Sequence, residues 1–322
     1  MTVTIEVHLT ADYLSQSLRR DVKEGLASTP KSLPPKWFYD AAGSVLFERI
    51  TALPEYYPFR AEREILADRA AEIAKTTQAR TLIELGSGAS EKTRLLLDAF
   101  REAGTLHDMV PLDVSETALR EAADTLAADY PGLRVHGVVA DFTAHMDQVE
   151  GDQPRLVAFL GSTIGNLLPD ERARFLGEVR EILDAGEWLL LGADLVKSPE
   201  VLLRAYDDAK GVTAEFNRNV LRVLNRELGA DFVVSAFEHV AVWDPEREWI
   251  EMRLRATEDT AVKVPELGLD VRFEQGEEMR TEISTKFRAE VIERDLANAG
   301  FAQTSRWTDA EGRFSLVLAR AV

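Results

Sequence analysis

Residues 80–93 read Arg-Thr-Leu-Ile-Glu-Leu-Gly-Ser-Gly-Ala-Ser-Glu-Lys-Thr, and the predicted fold is built outward from them. Residues 81–85 form a β-prone run, and the two glycines that follow tolerate backbone conformations that a Cβ disfavours. Either Ser87 or Ser90 has a side chain suited to cap the helix that we predict over residues 92–100. The stretch predicts a strand, a tight turn and a helix start, at the sheet edge where open α/β folds bind their ligands.

The chain beyond this turn alternates between strand and helix patterns. Strands are predicted over residues 109–112, 134–140, 155–160 and 187–192, with helices over 60–74 and 115–129. Together with residues 81–85 they indicate five parallel strands in a sheet covered on both faces. A helix over 289–299 and strands over 304–307 and 314–319 are predicted to complete the sheet, with the last strand antiparallel.

Two segments do not follow this alternation. A helix over residues 12–26 leads into a proline-punctuated stretch rich in aromatic residues, which reads either as a packed cover or as a lid over a flat or cationic ligand. Residues 197–286 begin with a helical stretch broken near Gly211 and continue as alternating, strand-like runs, with Asp244-Pro-Glu as a turn. We predict one domain from 62–196 plus 287–322, and a second from 12–61 plus 197–286.

Composition argues against several classes of protein. The 38 basic and 56 acidic residues give a formal net charge of −18, which repels a phosphate backbone, so we expect no nucleic-acid partner. No apolar run approaches the roughly 18 residues of a membrane span, and the first residues lack a secretory pattern, so we expect a cytoplasmic protein with no membrane partner. With no cysteine, and no ligand spacing among the histidines, we expect no metal site. We also expect a monomer.

Acidic residues follow the second and third predicted strands. Asp113 lies 27 residues after Gly86, near the spacing at which a carboxylate reaches the ribose hydroxyls of a bound nucleotide. Asp141-Phe142 offers a polar group and a ring to an adenine. The turn itself, Glu-x-Gly-x-Gly, lacks the third glycine of the dinucleotide fingerprint and resembles the first motif of class I S-adenosylmethionine (SAM) methyltransferases. Spacing alone leaves a nicotinamide-dependent enzyme open.

Several motifs spread over the chain are more specific than the glycine turn. They are Pro34-Pro-Lys-Trp-Phe-Tyr-Asp, Gly43-Ser-Val-Leu-Phe, Leu53-Pro-Glu-Tyr-Tyr-Pro, Glu84-Leu-Gly-Ser-Gly, Phe159-Leu-Gly-Ser-Thr-Ile-Gly-Asn and Phe216-Asn-Arg-Asn. Together they resemble the L-histidine Nα-methyltransferases of ergothioneine biosynthesis. The resemblance implies an α/β fold with the Rossmann-like sheet of class I SAM methyltransferases and a second, α+β substrate-binding domain. It also implies three SAM-dependent methyl transfers to the α-amino group of L-histidine, which give hercynine (Nα,Nα,Nα-trimethylhistidine).

The resemblance further implies which residues bind the two ligands. SAM would be bound by Gly86, Lys92, Asp113, Asp141 and Phe142. Histidine would be bound by Tyr56, Asn166, Tyr206, Glu282 and Ser284, with Gly161 at the junction of the two ligands and Met252 as an apolar wall. Judged from the residues alone, other roles stay open: Asn166 as a turn or helix cap, and Tyr206 and Met252 as packing residues.

Glu282 and Ser284 are two residues apart, so their side chains lie on one face of a strand predicted over residues 281–286. A carboxylate and a hydroxyl suit the N–H donor and the acceptor nitrogen of an imidazole. The sequence identifies no general base. Three alternatives remain: an N-methyltransferase of another aromatic amino acid such as a tryptophan derivative, a SAM-binding regulator, and the nicotinamide-dependent enzyme.

Overall fold

The computed structural model describes residues 3–10, 12–87, 92–149 and 151–322. They divide into two compact units: the first comprises Met1–Thr10, Pro58–Leu195 and Phe287–Val322, and the second comprises Ala11–Tyr57 and Val196–Lys286. The helix Pro58–Thr77 lies wholly in the first unit, so the observed division precedes the boundary that we predict at residue 62. In the described part of the chain, no helix combines the length and the apolar character of a membrane span.

The elements of secondary structure are numbered in chain order. The strands are β1 Val3–Val7, β2 Thr81–Leu85, β3 Asp108–Asp113, β4 Arg134–Val139, β5 Arg155–Phe159, β6 Trp188–Asp194, β7 Phe237–Asp244, β8 Trp249–Ala256, β9 Thr260–Val264, β10 Leu269–Phe273, β11 Glu278–Thr285, β12 Phe301–Thr308 and β13 Phe314–Ala321. The α-helices are α1 Tyr13–Ala27, α2 Ala41–Thr51, α3 Pro58–Thr77, α4 Thr93–Ala103, α5 Glu116–Asp129, α6 Pro169–Ile182, α7 Pro199–Tyr206, α8 Val212–Leu228 and α9 Ala289–Asn298. Short 3-10 helices lie at Pro35–Phe38, Met146–Gln148, Thr163–Asn166, Val234–Ala236 and Pro265–Leu267.

The first unit is built on one sheet with the strand order β1-β4-β3-β2-β5-β6-β13-β12. The strands from β1 to β6 are parallel to their neighbours, whereas β13 runs antiparallel to both β6 and β12. This arrangement confirms the predicted α/β class and the predicted antiparallel last strand. The chain order reverses between β2 and β5, and ligands of open α/β sheets bind at such a reversal, beyond the carboxyl ends of the strands.

Both faces of this sheet are covered. All five residues of β2 are buried, as are all five of β5. Successive residues of β2 enter different hydrophobic clusters: Leu82 packs in one and Ile83 in the other. A strand whose alternate side chains are buried on opposite faces needs a continuous apolar run, which is the pattern that residues 81–85 carry.

The prediction of five parallel strands was wrong by one, because β1 adds a sixth. It pairs with β4 from Val3↔Val135 to Val7↔Val139 at the edge of the sheet. Its residues are only half-buried or exposed, so its apolar signal is weak. Gly137 on β4 makes room for it, since a Cβ there would lie 2.6 Å from Cδ1 of Ile5.

The second unit is a separate α+β body. Its strands form a three-stranded antiparallel sheet, β11-β8-β7, and the two-stranded sheet β10-β9, as the alternating pattern of residues 232–287 indicates. The β7–β8 hairpin closes where predicted: Asp244 pairs with Trp249, and its Oδ1 accepts hydrogen bonds from the backbone of Glu246 (2.9 Å) and Arg247 (3.0 Å). Side chains from α1, α7, α8 and the aromatic-rich segment join the strands in one hydrophobic core.

Candidate functional site

The glycine turn follows β2 directly. Gly86 has φ = 69°, and the N–H groups of Gly86 and Ser87 donate to the carbonyl of Leu112 at 2.9 and 3.2 Å. A Cβ on Gly86 would lie 3.9 Å from Cε1 of Phe142, so the turn and that ring are neighbours. The helix-capping role proposed for Ser87 was wrong, because α4 is preceded by Lys92, which makes no side-chain cap, and Ser87 is buried beside β3. Gly88 and the other candidate cap, Ser90, lie outside the described residues.

The two acidic residues stand at the ends of neighbouring strands. Asp113 ends β3, and its Oδ1 accepts a hydrogen bond from the backbone N–H of Ser115 at 2.9 Å. Asp141 follows β4, is 7% exposed, and accepts from the backbone N–H (2.9 Å) and hydroxyl (2.6 Å) of Thr143. These bonds fix both carboxylates at the carboxyl ends of β3 and β4, and β3 is the neighbour of β2, where the strand order reverses. Both side chains are carboxylates, which accept hydrogen bonds and do not donate them when ionised.

The ring of Phe142 is held by other aromatic rings. Its centroid lies 5.4 Å from that of Phe159 and 5.8 Å from that of Phe175, both in edge-on geometry. Because Phe142 is only half-buried, part of its surface remains accessible next to the Gly86 turn. The structure therefore brings Gly86, Asp141 and Phe142 together at one edge of the sheet, with Asp113 on the adjoining strand.

A buried carboxylate that the sequence reasoning missed lies at the same edge. Glu62 of α3 is 0% exposed, and its two oxygens lie 2.9 Å from the backbone N–H of Gly161, which donates to them. The Nζ of Lys92 forms an ion pair with Oε2 of Glu62. Gly192 accommodates this carboxylate, since a Cβ there would lie 2.1 Å from Oε1. Glu62 thus fixes two of the predicted ligand-binding residues, Lys92 and Gly161.

Gly161 and Asn166 lie in the turn after β5. Gly161 has φ = 77° and Ser162 has φ = 59°, a conformation that the Ser162 hydroxyl stabilises by accepting from the backbone N–H of Asp194 at 2.9 Å. Asn166 ends the 3-10 helix Thr163–Asn166 and is half-buried. The predicted residues Gly161 and Asn166 therefore belong to the first unit, whereas the other predicted substrate residues belong to the second.

Three polar side chains of the second unit form a closed triangle. The Oη of Tyr206 and the Oγ of Ser284 are 2.7 Å apart, and Nζ of Lys286 lies 2.8 Å from each of them. All three residues are buried, with Lys286 1% exposed. Lys286 was not singled out from the sequence. It lies two residues after Ser284, directly beyond the end of β11. Residues two apart on a strand project to the same face, so the spacing Glu282, Ser284, Lys286 was the signal that could have identified it.

Glu282 and Met252 are directly opposite each other on β11 and β8. Opposite residues of paired strands project from the same face, so these side chains are neighbours, and Ser284 lies on that face two residues further along. Glu282 is half-buried, whereas Met252 is 2% exposed and belongs to the core of the second unit. The structure thus gives Met252 a packing role beside Glu282.

Tyrosines of the aromatic-rich segment face the same residues. The Tyr56 ring lies 6.3 Å from the Tyr206 ring in edge-on geometry. Tyr39 is 45% exposed, yet its pKa is raised well above the usual value, first by burial of the phenol group and then by the nearby charge of Glu282. The aromatic-rich segment is mainly a packed cover, since Phe38 and Tyr57 are fully buried. Tyr39 is a further residue near Glu282, and the sequence alone did not assign it to the site.

The motif Phe216-Asn-Arg-Asn on α8 explains how these tyrosines are held. Asn219 donates to the carbonyl of Phe38 (3.2 Å) and to the carboxylate of Asp40 (2.7 Å), which flank Tyr39. Asn217 donates to Nδ1 of His239 at 2.8 Å, and Nε2 of His239 lies 2.8 Å from the carbonyl of Tyr206. Because the Asn217 amide is the donor, His239 is neutral with its hydrogen on Nε2.

Burial sets the charge of His239. It lowers the pKa of the ring below the usual value, and the hydrogen bond to the Tyr206 carbonyl opposes this shift only in part.

Among the described residues, no group of three or more histidines, aspartates and glutamates is placed to hold a metal ion.

The residues that follow the carboxyl ends of β2, β3 and β4 in the first unit suit an adenosyl ligand. Ribose hydroxyls and the adenine amine are hydrogen-bond donors, and Asp113 and Asp141 present acceptors. The accessible part of Phe142 offers a ring face to a base, and Gly86 leaves the space that a Cβ would fill. These residues therefore fit SAM.

Comparison with known proteins identifies the family. A family model described as histidine-specific, SAM-dependent methyltransferase matches residues 18–321. Histidine N-alpha-methyltransferases of Mycolicibacterium smegmatis and Mycobacterium tuberculosis are 55% and 53% identical over 319 residues, with 99% of this chain and 99% of each relative covered. Ergothioneine biosynthesis protein 1 of Neurospora crassa is 31% identical over 314 residues, which cover 95% of this chain and 34% of that protein. The chain thus belongs to the histidine-specific, SAM-dependent methyltransferases.

Proposed function

We propose that this protein transfers three methyl groups from SAM to the α-amino group of L-histidine and so produces hercynine for ergothioneine biosynthesis. The observation that carries the proposal is the match to the histidine-specific family over residues 18–321. The arrangement of Glu282, Ser284 and Tyr206 supports it, because these groups suit an imidazole and an amino acid.

We assign the cofactor to the edge of the sheet in the first unit. When bound, SAM supplies an electrophilic methyl group on its sulfonium. Asp113 accepts hydrogen bonds from the ribose, Asp141 accepts from the adenine amine, and Phe142 packs against the base. Gly86 allows close approach of the backbone. Lys92, held by Glu62, is a positioned donor for the polar tail of the cofactor.

We assign the imidazole of histidine to the face of β11. Glu282 accepts the ring N–H, and Ser284 addresses the other ring nitrogen. Met252, opposite Glu282, packs against the ring as an apolar wall. An indole has one donor and no acceptor nitrogen, so it leaves Ser284 without a partner, and this difference disfavours the tryptophan alternative.

The remaining substrate residues keep the roles that the family resemblance implies. In the second unit, Tyr206 and Tyr56 contribute a hydroxyl and a ring to the amino-acid end of histidine. In the first unit, Asn166 donates to the substrate carboxylate, and Gly161 borders the reacting groups. The reaction needs a neutral amine aligned with the methyl group, so orientation is the main task of these residues.

No side chain is assigned as a general base. Tyr39 acts as a hydroxyl and not as a phenolate, since a tyrosine is ordinarily protonated at neutral pH and burial raises its pKa further. The faces of Tyr39 and Tyr56 stabilise a methylated ammonium through cation–π contacts, which are worth about 0.5–2 kcal/mol each.

We further propose that the enzyme acts as a cytoplasmic monomer without a nucleic-acid partner. Its net charge of −18 supports the absence of a nucleic-acid partner, since it disfavours contact with phosphate backbones. Light scattering coupled to gel filtration tests the monomer directly.

Formation of S-adenosylhomocysteine in the presence of histidine or tryptophan tests the assigned activity. We expect turnover with histidine and far less with tryptophan. A chain that binds SAM but releases no S-adenosylhomocysteine with either amino acid would be a regulator, and the proposal would fail.

A further inference from the structure

Lys286 is buried against the hydroxyls of Tyr206 and Ser284, of which we place Ser284 near the imidazole of histidine and Tyr206 near its amino-acid end. Its side chain is among the largest that are fully buried, and its Nζ lies 4.5 Å from the centroid of the Tyr206 ring. The backbone N–H of Lys286 donates to the carbonyl of Glu248 at 2.7 Å, which anchors the residue at the end of β11. Because the Lys286 side chain is buried along its whole length, the surrounding residues hold its ammonium group against Tyr206 and Ser284.

The hydrogen bonds within the triangle limit the directions in which the hydroxyl hydrogens of Tyr206 and Ser284 can point. A lysine ammonium only donates hydrogen bonds, so both Tyr206 and Ser284 accept from Nζ. Each hydroxyl has one hydrogen, and the 2.7 Å contact between Oη and Oγ uses one of the two. The other hydrogen points away from the triangle.

The relative acidity of the hydroxyls decides which hydrogen that is. A phenol is a stronger acid than an alcohol and therefore the better donor, so Tyr206 donates to Ser284. The two lone pairs of Ser284 Oγ are then filled by Lys286 and Tyr206. Ser284 is left with its hydrogen only and acts as a donor towards a ligand.

We propose that Lys286 is a positioning residue that makes Ser284 an obligatory hydrogen-bond donor, so that the enzyme binds histidine with a neutral imidazole ring. This inference rests on the proposed function, in which Glu282 and Ser284 hold the ring. The neutral ring has one N–H for Glu282 and one acceptor nitrogen for Ser284. The protonated ring has two N–H groups. The second N–H would face the hydroxyl hydrogen of Ser284, and two donors cannot form a hydrogen bond, so the protonated ring should bind less tightly.

Other titratable groups surround the triangle and enter the test. Glu282 lies on the same strand, Tyr206 on α7, and Tyr39 and Tyr56 on the aromatic-rich segment. His239 on β7 bonds to the carbonyl of Tyr206, and Asp207 lies 4.0 Å from its Nε2. Glu282 by itself favours a protonated ring. Lys286 and Ser284 therefore act against Glu282, and removing Lys286 should weaken or abolish the preference for a neutral ring.

The experiment measures the Kd of histidine at pH 7.5 and 5.5 by calorimetry with saturating S-adenosylhomocysteine. With a ring pKa of about 6.5, the neutral fraction of histidine falls about tenfold over this range, so the Kd of the wild type should rise about tenfold. In Lys286→Met, Ser284 regains a lone pair for a ring N–H, and the rise should shrink to about twofold or less. A tenfold rise that persists in Lys286→Met, or no rise in the wild type, would overturn the inference.

Two controls isolate the ring. Triazolylalanine keeps a donor and an acceptor nitrogen but is too weakly basic to protonate at pH 5.5, so its Kd should not change with pH in either protein. A change would mean that protein groups such as Glu282 or His239 cause the effect, and would overturn the inference. Urea unfolding of each variant, compared with that of the wild type, reports whether the variant is folded, since Lys286 and Ser284 belong to the second unit.

A second variant keeps the test decisive if Lys286→Met does not fold. Ser284→Ala removes the donor without burying a new group, and it too should lose most of the dependence on pH. Retention of the tenfold rise in Ser284→Ala would overturn the inference. If wild-type protein binds no histidine at either pH, the proposed function fails, which is distinct from binding without the expected pH dependence.

Discussion

Replacing Glu62 by alanine leaves the Lys92 ammonium, whose side chain is 15% exposed, without the carboxylate that neutralises it in the folded protein. The same change removes the acceptor of the Gly161 backbone N–H. Both consequences fall at the edge of the sheet where we assign the cofactor. The substitution therefore tests whether α3 contributes to the site through this one side chain.

The expected loss of stability follows from burial. Removing one partner of a buried ion pair costs about 3–5 kcal/mol, because the other charge stays behind without compensation. Since Lys92 keeps some contact with water, we expect about 3 kcal/mol for Glu62→Ala. Glu62→Gln retains an acceptor for Gly161 but loses the charge, so we expect about 1–3 kcal/mol.

The assay is urea unfolding together with calorimetric titration of S-adenosylhomocysteine. Glu72→Ala is the matched control: Glu72 lies on the same helix, its side chain is 49% exposed, and its ion pair with Arg69 lies at the surface. We expect that control to change stability by less than about 1 kcal/mol and to leave cofactor affinity intact. If Glu62→Ala loses no more stability than Glu72→Ala, or binds S-adenosylhomocysteine as tightly as the wild type, then Glu62 does not organise the site.

Three further outcomes are expected. Asp113→Ala should weaken SAM binding by about 1–3 kcal/mol while histidine binding measured without cofactor changes little, and equal losses in two titrations would remove the ribose assignment. Glu282→Ala combined with Met252→Val should raise the ratio of tryptophan to histidine kcat/KM at saturating SAM, because the carboxylate that pairs with imidazole is lost and the pocket is enlarged; an unchanged ratio would mean that Glu282 does not face the ring. His239 has a lowered pKa in the folded protein because burial disfavours its charged form, so its contribution to stability is present above about pH 6.5 and is lost as pH falls through the folded pKa. Unfolding free energies of His239→Gln should therefore fall less steeply than those of the wild type below about pH 6.5, and parallel slopes would contradict the assigned neutral ring.

The parts of the fold that the sequence predicts are those with strong local patterns. The run before Gly86 is apolar at every position, and it forms a strand that is buried on both faces. Asp244-Pro-Glu predicts the hairpin because its turn residues satisfy their own backbone. By contrast, β1 is short and half-exposed, so only its pairing with β4 identifies it as a strand.

The residues missed at the site share a physical reason. Glu62 and Lys286 are charged side chains whose roles depend on partners far away in the sequence: Gly161 and Lys92 for one, Tyr206 for the other. Local pattern assigns charged residues to the surface, and only tertiary contacts show that these two are buried. The spacing of Glu282 and Ser284 does predict a shared strand face, but it does not indicate which atom donates.

End-point mass spectrometry of the product tests most directly whether this chain trimethylates the α-amino group of histidine. Histidine is incubated with enzyme and excess SAM, and the product is fragmented to locate the added methyl groups. We expect transient mono- and dimethylhistidine, a final species with three methyl groups on the α-nitrogen, and three equivalents of S-adenosylhomocysteine. A reaction that stops at monomethylhistidine, or a methyl group on the imidazole ring, would contradict it.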